Sequence, residues 1–327
     1  MKVFFTIDTE IWPGGWDSLD ERFPAAFLRY VYGETPQGSY GLPMQLKVFA
    51  DCGLKAVFFV EPLFSARFGL EPLQEVVGLI RDAGQDVQMH LHAEWTDEAH
   101  EPLLLERPTS KRQHLSYYSA SEQDALVRWG KARLAAAGAG TVTAFRAGSF
   151  AFNLDTLKAL TLNGISVDSS YNHCNMGAES GFLGLVPKGT VPNHPIDLRE
   201  LCEFPVTVFE DRPGHLRPLQ ITACSLKEMQ SVLYRAAERE YSCVVLVSHN
   251  FELLDRRDFS RDKVVVRRFM QLCDFLSRNS DAFETASFAG DTPPGFPALA
   301  LMQQPRPVRG SMPGFVTRVV EQALRRI

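Results

Sequence analysis

Short apolar runs alternate with amphipathic stretches along almost the whole chain. Runs rich in Val, Phe, Ile and Ala at 3–7, 56–60, 86–92, 144–146, 165–168, 203–209, 242–247 and 283–288 read as strands. Between them, apolar residues recur at helical spacing over 44–52, 73–83, 121–137, 154–162, 226–240 and 264–278. Gly84 and the pair Asn163-Gly164 stand where two of these helices should stop. Strands that are apolar on both faces, each followed by a helix, imply a mostly parallel sheet covered on both sides. Seven or eight such units predict an α/β fold of barrel type, regular or distorted, in a single domain over residues 1–290. Two long segments interrupt the pattern as inserted loops, 12–41 and 172–201. Residues 291–327 hold a Pro-rich segment and then a basic amphipathic helix at 315–327. That helix is expected to pack on the barrel, with contact to a membrane surface as the alternative.

Composition narrows the picture a little. The 327 residues are 45% hydrophobic and 22% charged, as in soluble globular proteins. A formal net charge of −5, with no basic block in the body of the chain, speaks against a nucleic-acid binder. No uncharged apolar run reaches the roughly 20 residues needed to span a bilayer, and MKVFFTIDTE lacks the pattern of a secretory signal. Six scattered cysteines without CxxC spacing read as reduced thiols. The expected location is the cytoplasm, with a peripheral place at the inner membrane face as a variant. Oligomeric state is not legible.

The chemistry gathers at strand ends. Asp8 and Glu10, two apart in FTIDTE, share one face of the first strand. His90 and His92 share a face at the end of DVQMHLH, with Glu94 two further on. Arg146 closes the strand in FRAGSF, and His249 follows VVLVS. In βα barrels the C-terminal ends of the strands build the active site. Imidazole with carboxylate is a ligand set for a divalent ion such as Zn2+. A second carboxylate, a guanidinium and a late imidazole are what metal-assisted hydrolysis needs around it. Asp168, in SVDSSY, either orients one of these groups or caps a turn; His100, His114, His173, His194 and His215 lie in loop-like contexts.

These segments, in this order, resemble the motifs of the polysaccharide deacetylase family, the NodB-homology carbohydrate esterases of family 4. FTIDTE, GLKAVFFV, DVQMHLHAEW, FRAGSF, VDSSY and VLVSHN carry the likeness over about residues 1–290. The resemblance implies a distorted (β/α)7-8 barrel of the NodB type that removes an N-acyl group, acetyl by default, from an amino sugar. It implies Asp8 as base, Glu10, His90 and His92 as ligands of one divalent ion, most simply Zn2+, Arg146 as the residue that positions the base, and His249 as acid. Two departures stand out: Thr9 separates the acids, and the second imidazole follows the first by two residues rather than four. They leave open which acid is the ligand and whether Glu94 replaces His92. Spaced acids and HxH resemble the subgroup that acts inside the cell on precursors of surface polysaccharides such as O-antigen, so the partner expected is a glycan, free or lipid-linked. Other readings of the same residues are a deformylase of a sugar formamide, a degenerate glycan-binding barrel, and a binuclear amidohydrolase or phosphoesterase.

Overall fold

The structure is a computed structural model that describes all residues except 106–109, 176–185, 187–188, 292–295, 301–302 and 326–327. Parts of the expected loop 172–201, of the Pro-rich segment and of the terminal helix therefore lie outside the described residues. The chain begins with strand β1 (Lys2–Thr9), helix α1 (Leu19–Phe27), the small hairpin β2 (Glu34–Thr35) and β3 (Gly38–Ser39), and helix α2 (Leu42–Cys52). Then come β4 (Val57–Val60), α3 (Ser65–Phe68), α4 (Glu71–Asp82), β5 (Asp86–Leu91), α5 (Ala120–Ala136), β6 (Ala144–Ala147), α6 (Leu154–Leu162) and β7 (Val167–Asp168). The remainder is β8 (Ile196–Asp197), β9 (Cys202–Glu203), β10 (Val208–Arg212), β11 (His215–Pro218), α7 (Leu226–Glu238), β12 (Cys243–His249), α8 (Lys263–Arg278), β13 (Glu284–Thr285), α9 (Phe288–Asp291) and α10 (Met312–Leu324).

Strand β1 pairs with β12 and with β13, and a second set of strands runs in the order β4-β5-β6-β7-β9-β8. The pairs β1–β12, β4–β5, β5–β6, β6–β7 and β7–β9 are parallel, and β8 runs antiparallel to β9. The mixed α/β class is as expected.

By internal contacts the chain divides into two compact units. The first comprises Met1–Ala56, Thr207–Ala286 and Pro307–Ile327. In it β1 alternates: Phe5 points to the helices, where its ring meets Phe49 of α2 at 5.0 Å and Phe269 of α8 at 5.8 Å, both edge to face. Such aromatic pairs add about 0.5–1.5 kcal/mol each beyond simple burial. The even positions Phe4, Thr6 and Asp8 take the opposite face.

The second unit comprises Val57–Val206 and Ser287–Arg306. Here α5 lies close on β5 because residue 130 is glycine: a Cβ there would come within 3.0 Å of Met89 and 3.1 Å of Leu91. Buried Gln88 ties β5 to β6 by accepting from the backbone N–H of Thr143 (2.9 Å) and Ala144 (2.7 Å).

Some elements differ from the sequence reading. The strand expected over 203–209 is two strands, Cys202–Glu203 and Val208–Arg212, in different sheets. Pro205 between them has no N–H to donate to a ladder, so pairing stops there. The inserted segment 12–41 is not irregular; it holds α1 and the hairpin β2–β3. Helix α5 begins at Ala120 rather than 121, because Ser119 and Glu122 close a reciprocal capping box.

Candidate active site

In the first unit the parallel register sets Asp8 opposite His249. Nε2 of His249 lies 3.8 Å from Oδ2 of Asp8 and 3.5 Å from Oε1 of Glu10. Its other ring nitrogen, Nδ1, meets Oε1 of Glu252 at 3.0 Å. Glu252 is itself fixed, accepting from Nε2 of Gln220, Oγ1 of Thr222 (2.9 Å) and Oγ of Ser248 (3.1 Å). Burial opposes a charge on His249, but Glu252, Asp8 and Glu10 outweigh it and raise its pKa from 6.5 to about 9. The imidazole is therefore protonated at neutral pH. A cation drawn to Glu10 would withdraw part of that support and lower the value.

Backbone and loop hold the acids. Asn250 exchanges hydrogen bonds with Glu10, its Oδ1 accepting from the Glu10 N–H and its Nδ2 donating to the Glu10 carbonyl, each at 3.2 Å. The Asn250 N–H donates to the Asp8 carbonyl at 3.1 Å. Nε1 of Trp12 donates to Oε2 of Glu10 at 3.0 Å, which fixes one carboxylate oxygen.

The second unit carries the imidazole pair. His90 and His92 are 2% and 6% exposed, and their rings stand edge to face with centroids 4.8 Å apart. Nδ1 of His90 meets the Arg146 carbonyl at 2.7 Å, and because a carbonyl only accepts, that nitrogen carries the proton. Nε2 of His90 is then the lone-pair nitrogen. Nδ1 of His92 meets Oε2 of Glu94 at 3.2 Å, an arrangement with the same consequence. Gly148 makes this possible: a Cβ there would stand 2.7 Å from both Nδ1 of His92 and the Leu91 carbonyl. The next two residues, Ser149 (φ 54°) and Phe150 (φ 59°), are both left-handed, a costly conformation for residues with a Cβ.

Arg146 is fully buried. Its Nε donates to the Ser169 carbonyl and its Nη2 to Ser169 Oγ, both at 2.9 Å, and the guanidinium lies 4.4 Å from the Phe59 ring centroid. Asp168 is fully buried. It sits in register with Glu203 across β7 and β9, and it accepts from Ser170 Oγ at 2.5 Å. Burial and the Asp168 charge push the Glu203 carboxyl well above its usual range, so Glu203 holds the proton of the pair.

The first unit offers the buried Glu10 carboxylate, and the second the buried imidazoles of His90 and His92. A carboxylate oxygen and two imidazole nitrogens, all buried, match the donor chemistry of Zn2+. Glu94 stands on the Nδ1 side of His92.

Several of these groups escaped the sequence reading. Glu252, three residues past His249, has the signal of a carboxylate at i+3. Glu61 directly follows β4 and was overlooked although strand ends carry the chemistry elsewhere. It is fully buried, accepts from the N–H of Leu63 (2.8 Å) and Phe64 (3.1 Å), and is pushed up to about 8 by burial, against those donors and the nearby His92. Trp12, Ser169 and Glu203 left no signal in a single sequence. His194, read as a loop residue, is 7% exposed, and burial pushes its pKa down.

No family model and no curated protein sequence matches this chain. Solved structures do. The chain is similar to a protein of Mycobacterium smegmatis assigned as a polysaccharide deacetylase, with 17% identity over 88% of this chain and 87% of that one and a TM-score of 0.54. It is also similar to a 4-alpha-glucanotransferase of Thermococcus litoralis, with 12% identity over 95% of this chain, 42% of that one, and a TM-score of 0.56. A GH57-type branching enzyme of Pyrococcus horikoshii shares 10% identity over 96% of this chain and 73% of that one, at a TM-score of 0.52. What is shared at these identities is the fold. It serves proteins named for deacetylation and for glucan transfer alike, so the chemistry of this chain has to be argued from its own side chains.

Proposed function

We propose that the chain is a metal-dependent hydrolase that removes an N-acyl group, acetyl by default, from an amino sugar of a surface glycan or its precursor. The observation that carries this reading is the buried pair His90 and His92, the Nδ1 of each already engaged as in metal-ligating histidines. Glycosidic-bond cleavage ordinarily uses a carboxylate pair without a metal, whereas the two imidazoles here are oriented as metal-ligating histidines are. The similarity in fold to a protein named as a polysaccharide deacetylase agrees with the choice.

Glu10, His90 and His92 would hold one divalent ion, Zn2+ by donor type. Bound there, it would supply Lewis acidity toward an amide carbonyl and toward water. Asp8, buried beside His249, takes the proton of the attacking water. Arg146 is the guanidinium that steadies the base. The N–H of Ser149, in the turn after β6, is the backbone donor offered to the oxyanion. His249, charged at neutral pH, gives its proton to the leaving nitrogen while Glu252 holds its ring. Such a protein would work on the cytoplasmic side, where lipid-linked glycan precursors are assembled.

The test is metal content together with acetate release from N-acetylated oligosaccharides. One ion per chain and deacylation, both lost in His90→Ala and His92→Ala, are expected. A purified chain that neither binds Zn2+ nor releases acetate defeats the reading.

A further inference from the structure

Helix α10 is built inside out. The residues it turns to the protein are polar, and those it turns outward are apolar. On the inner side, Arg318 donates to both carboxylate oxygens of Glu228 (3.0 and 3.1 Å) and to Asp211 (2.6 Å). Glu321 accepts from Arg268 (2.7 Å), and Nε of Arg325 donates to Asp262 (2.6 Å). Gly314 completes this side: a Cβ there would come within 2.8 Å of the Glu228 side chain, so the helix can sit this close only without one. With 100° between successive residues, Gly314, Arg318, Glu321 and Arg325 share one face.

The opposite face carries Met312, Val316, Val319, Val320 and Leu324, which are 69%, 54%, 48%, 54% and 55% exposed. Ala323 lies among them, and no acidic residue does. An amphipathic helix ordinarily buries this stripe. Here charge pairs do the docking and leave the stripe to something else.

We propose that the outward face of α10 docks on an anionic lipid surface. The first argument is area. A helix of 13 residues is about 20 Å long, and one face of it offers a few hundred Å2. That falls well short of the roughly 800 Å2 per partner in a standard protein interface. A lipid surface needs no complementary partner face and receives such a stripe at the boundary of headgroups and chains. The second argument is charge. Arg309, 74% exposed, precedes the helix, and Arg235 reaches the same end through the carbonyl of Gly310 at 2.9 Å. At the other end Arg257, 60% exposed, donates to the Arg325 carbonyl. Arg309 and Arg257 also pair with Glu210 and Asp255. Exposed pairs of this kind are weak and exchange readily with headgroup phosphates. Apolar side chains between two sets of guanidinium groups are the pattern that anionic lipid recognises.

The experiment is co-sedimentation of the full chain with phosphatidylcholine vesicles, with and without about one part in three of phosphatidylglycerol. Binding to the anionic vesicles, weakened by added salt, is expected. In the variant Val316→Asp/Val320→Asp, binding should fall about tenfold or more while the melting temperature stays unchanged, because both side chains face outward. A second probe, Val320→Trp, should shift its emission to the blue on mixing with these vesicles. A chain that stays in the supernatant with both kinds of vesicle overturns the proposal, as does equal binding by the aspartate variant. So does a two-chain mass by light scattering without lipid that the aspartate variant returns to one, since the stripe then belongs to a second copy.

Discussion

Glu252→Gln tests the acid end of the proposed reaction without touching the ligand group. Three donors converge on Oε1 of Glu252: Nδ1 of His249 at 3.0 Å, Oγ1 of Thr222 at 2.9 Å and Nε2 of Gln220. Oγ of Ser248 approaches Oε2 at 3.1 Å. A glutamine with its oxygen in the first position keeps the three bonds, and the Ser248 hydroxyl can turn to accept from the new amide. The stability cost is then the difference between charged and neutral acceptors, about 0.5–1.5 kcal/mol. The effect on His249 is larger. Its rise from 6.5 to about 9 represents about 3 kcal/mol in favour of the imidazolium, and Glu252 is the foremost group supporting it. With that charge gone, burial pulls the pKa back down against the Asp8 and Glu10 charges that remain, so a smaller share of the imidazole is charged at pH 7. Turnover should fall by about a hundredfold or more, and the pH above which activity is lost should move to the acid side. Acetate release as a function of pH, urea unfolding and metal content measure the three quantities. Turnover within threefold of the parent with an unchanged pH profile refutes the reasoning, and loss of bound metal in step with activity refutes it too.

Three further outcomes follow from the geometry. Asp8→Asn and His249→Ala should each lower turnover by about a hundredfold to ten-thousandfold with the fold intact, read by steady-state kinetics beside circular dichroism. Gly148→Ala places a methyl 2.7 Å from His92 and the Leu91 carbonyl, so it should cost about 1–3 kcal/mol on thermal unfolding and weaken Zn2+ binding about tenfold to a hundredfold in a metal titration. The Glu122 carboxyl is lowered from 4.5 to about 2, chiefly by its hydrogen bonds from Arg112. Its contribution is therefore present above pH 4.5 and is lost as pH falls toward 2. Glu122→Gln should destabilise by about 1 kcal/mol at pH 7 and by clearly less at pH 2, measured by denaturant unfolding.

What could be read from the sequence was what is local or periodic. The apolar runs of β1, β4 and β12 and the helix Leu154–Leu162 come from patterns that burial on both faces or on one face imposes. Asp8, Glu10, His90, His92, Arg146 and His249 stand out as candidates because a strand end displays chemistry at a fixed place in the pattern. Partnerships were not. Glu203 meets Asp168 only because β9 lies beside β7, thirty-odd residues later in the chain, and nothing at either position announces the other. Gly148 read as part of a small-residue turn, yet its reason for being glycine is His92 on a neighbouring strand. Helix α10 shows the limit most sharply. Its amphipathic spacing was plain, and spacing alone says that the apolar side packs. Which side packs is decided by what the neighbours offer: α7 and α8 present Glu228, Arg268 and the cap Asp262, a charged seat that favours the arginine and glutamate face over the valine face. Periodic spacing divides a helix into two unlike faces without saying which one turns inward, and here that choice was made by residues up to 107 positions away.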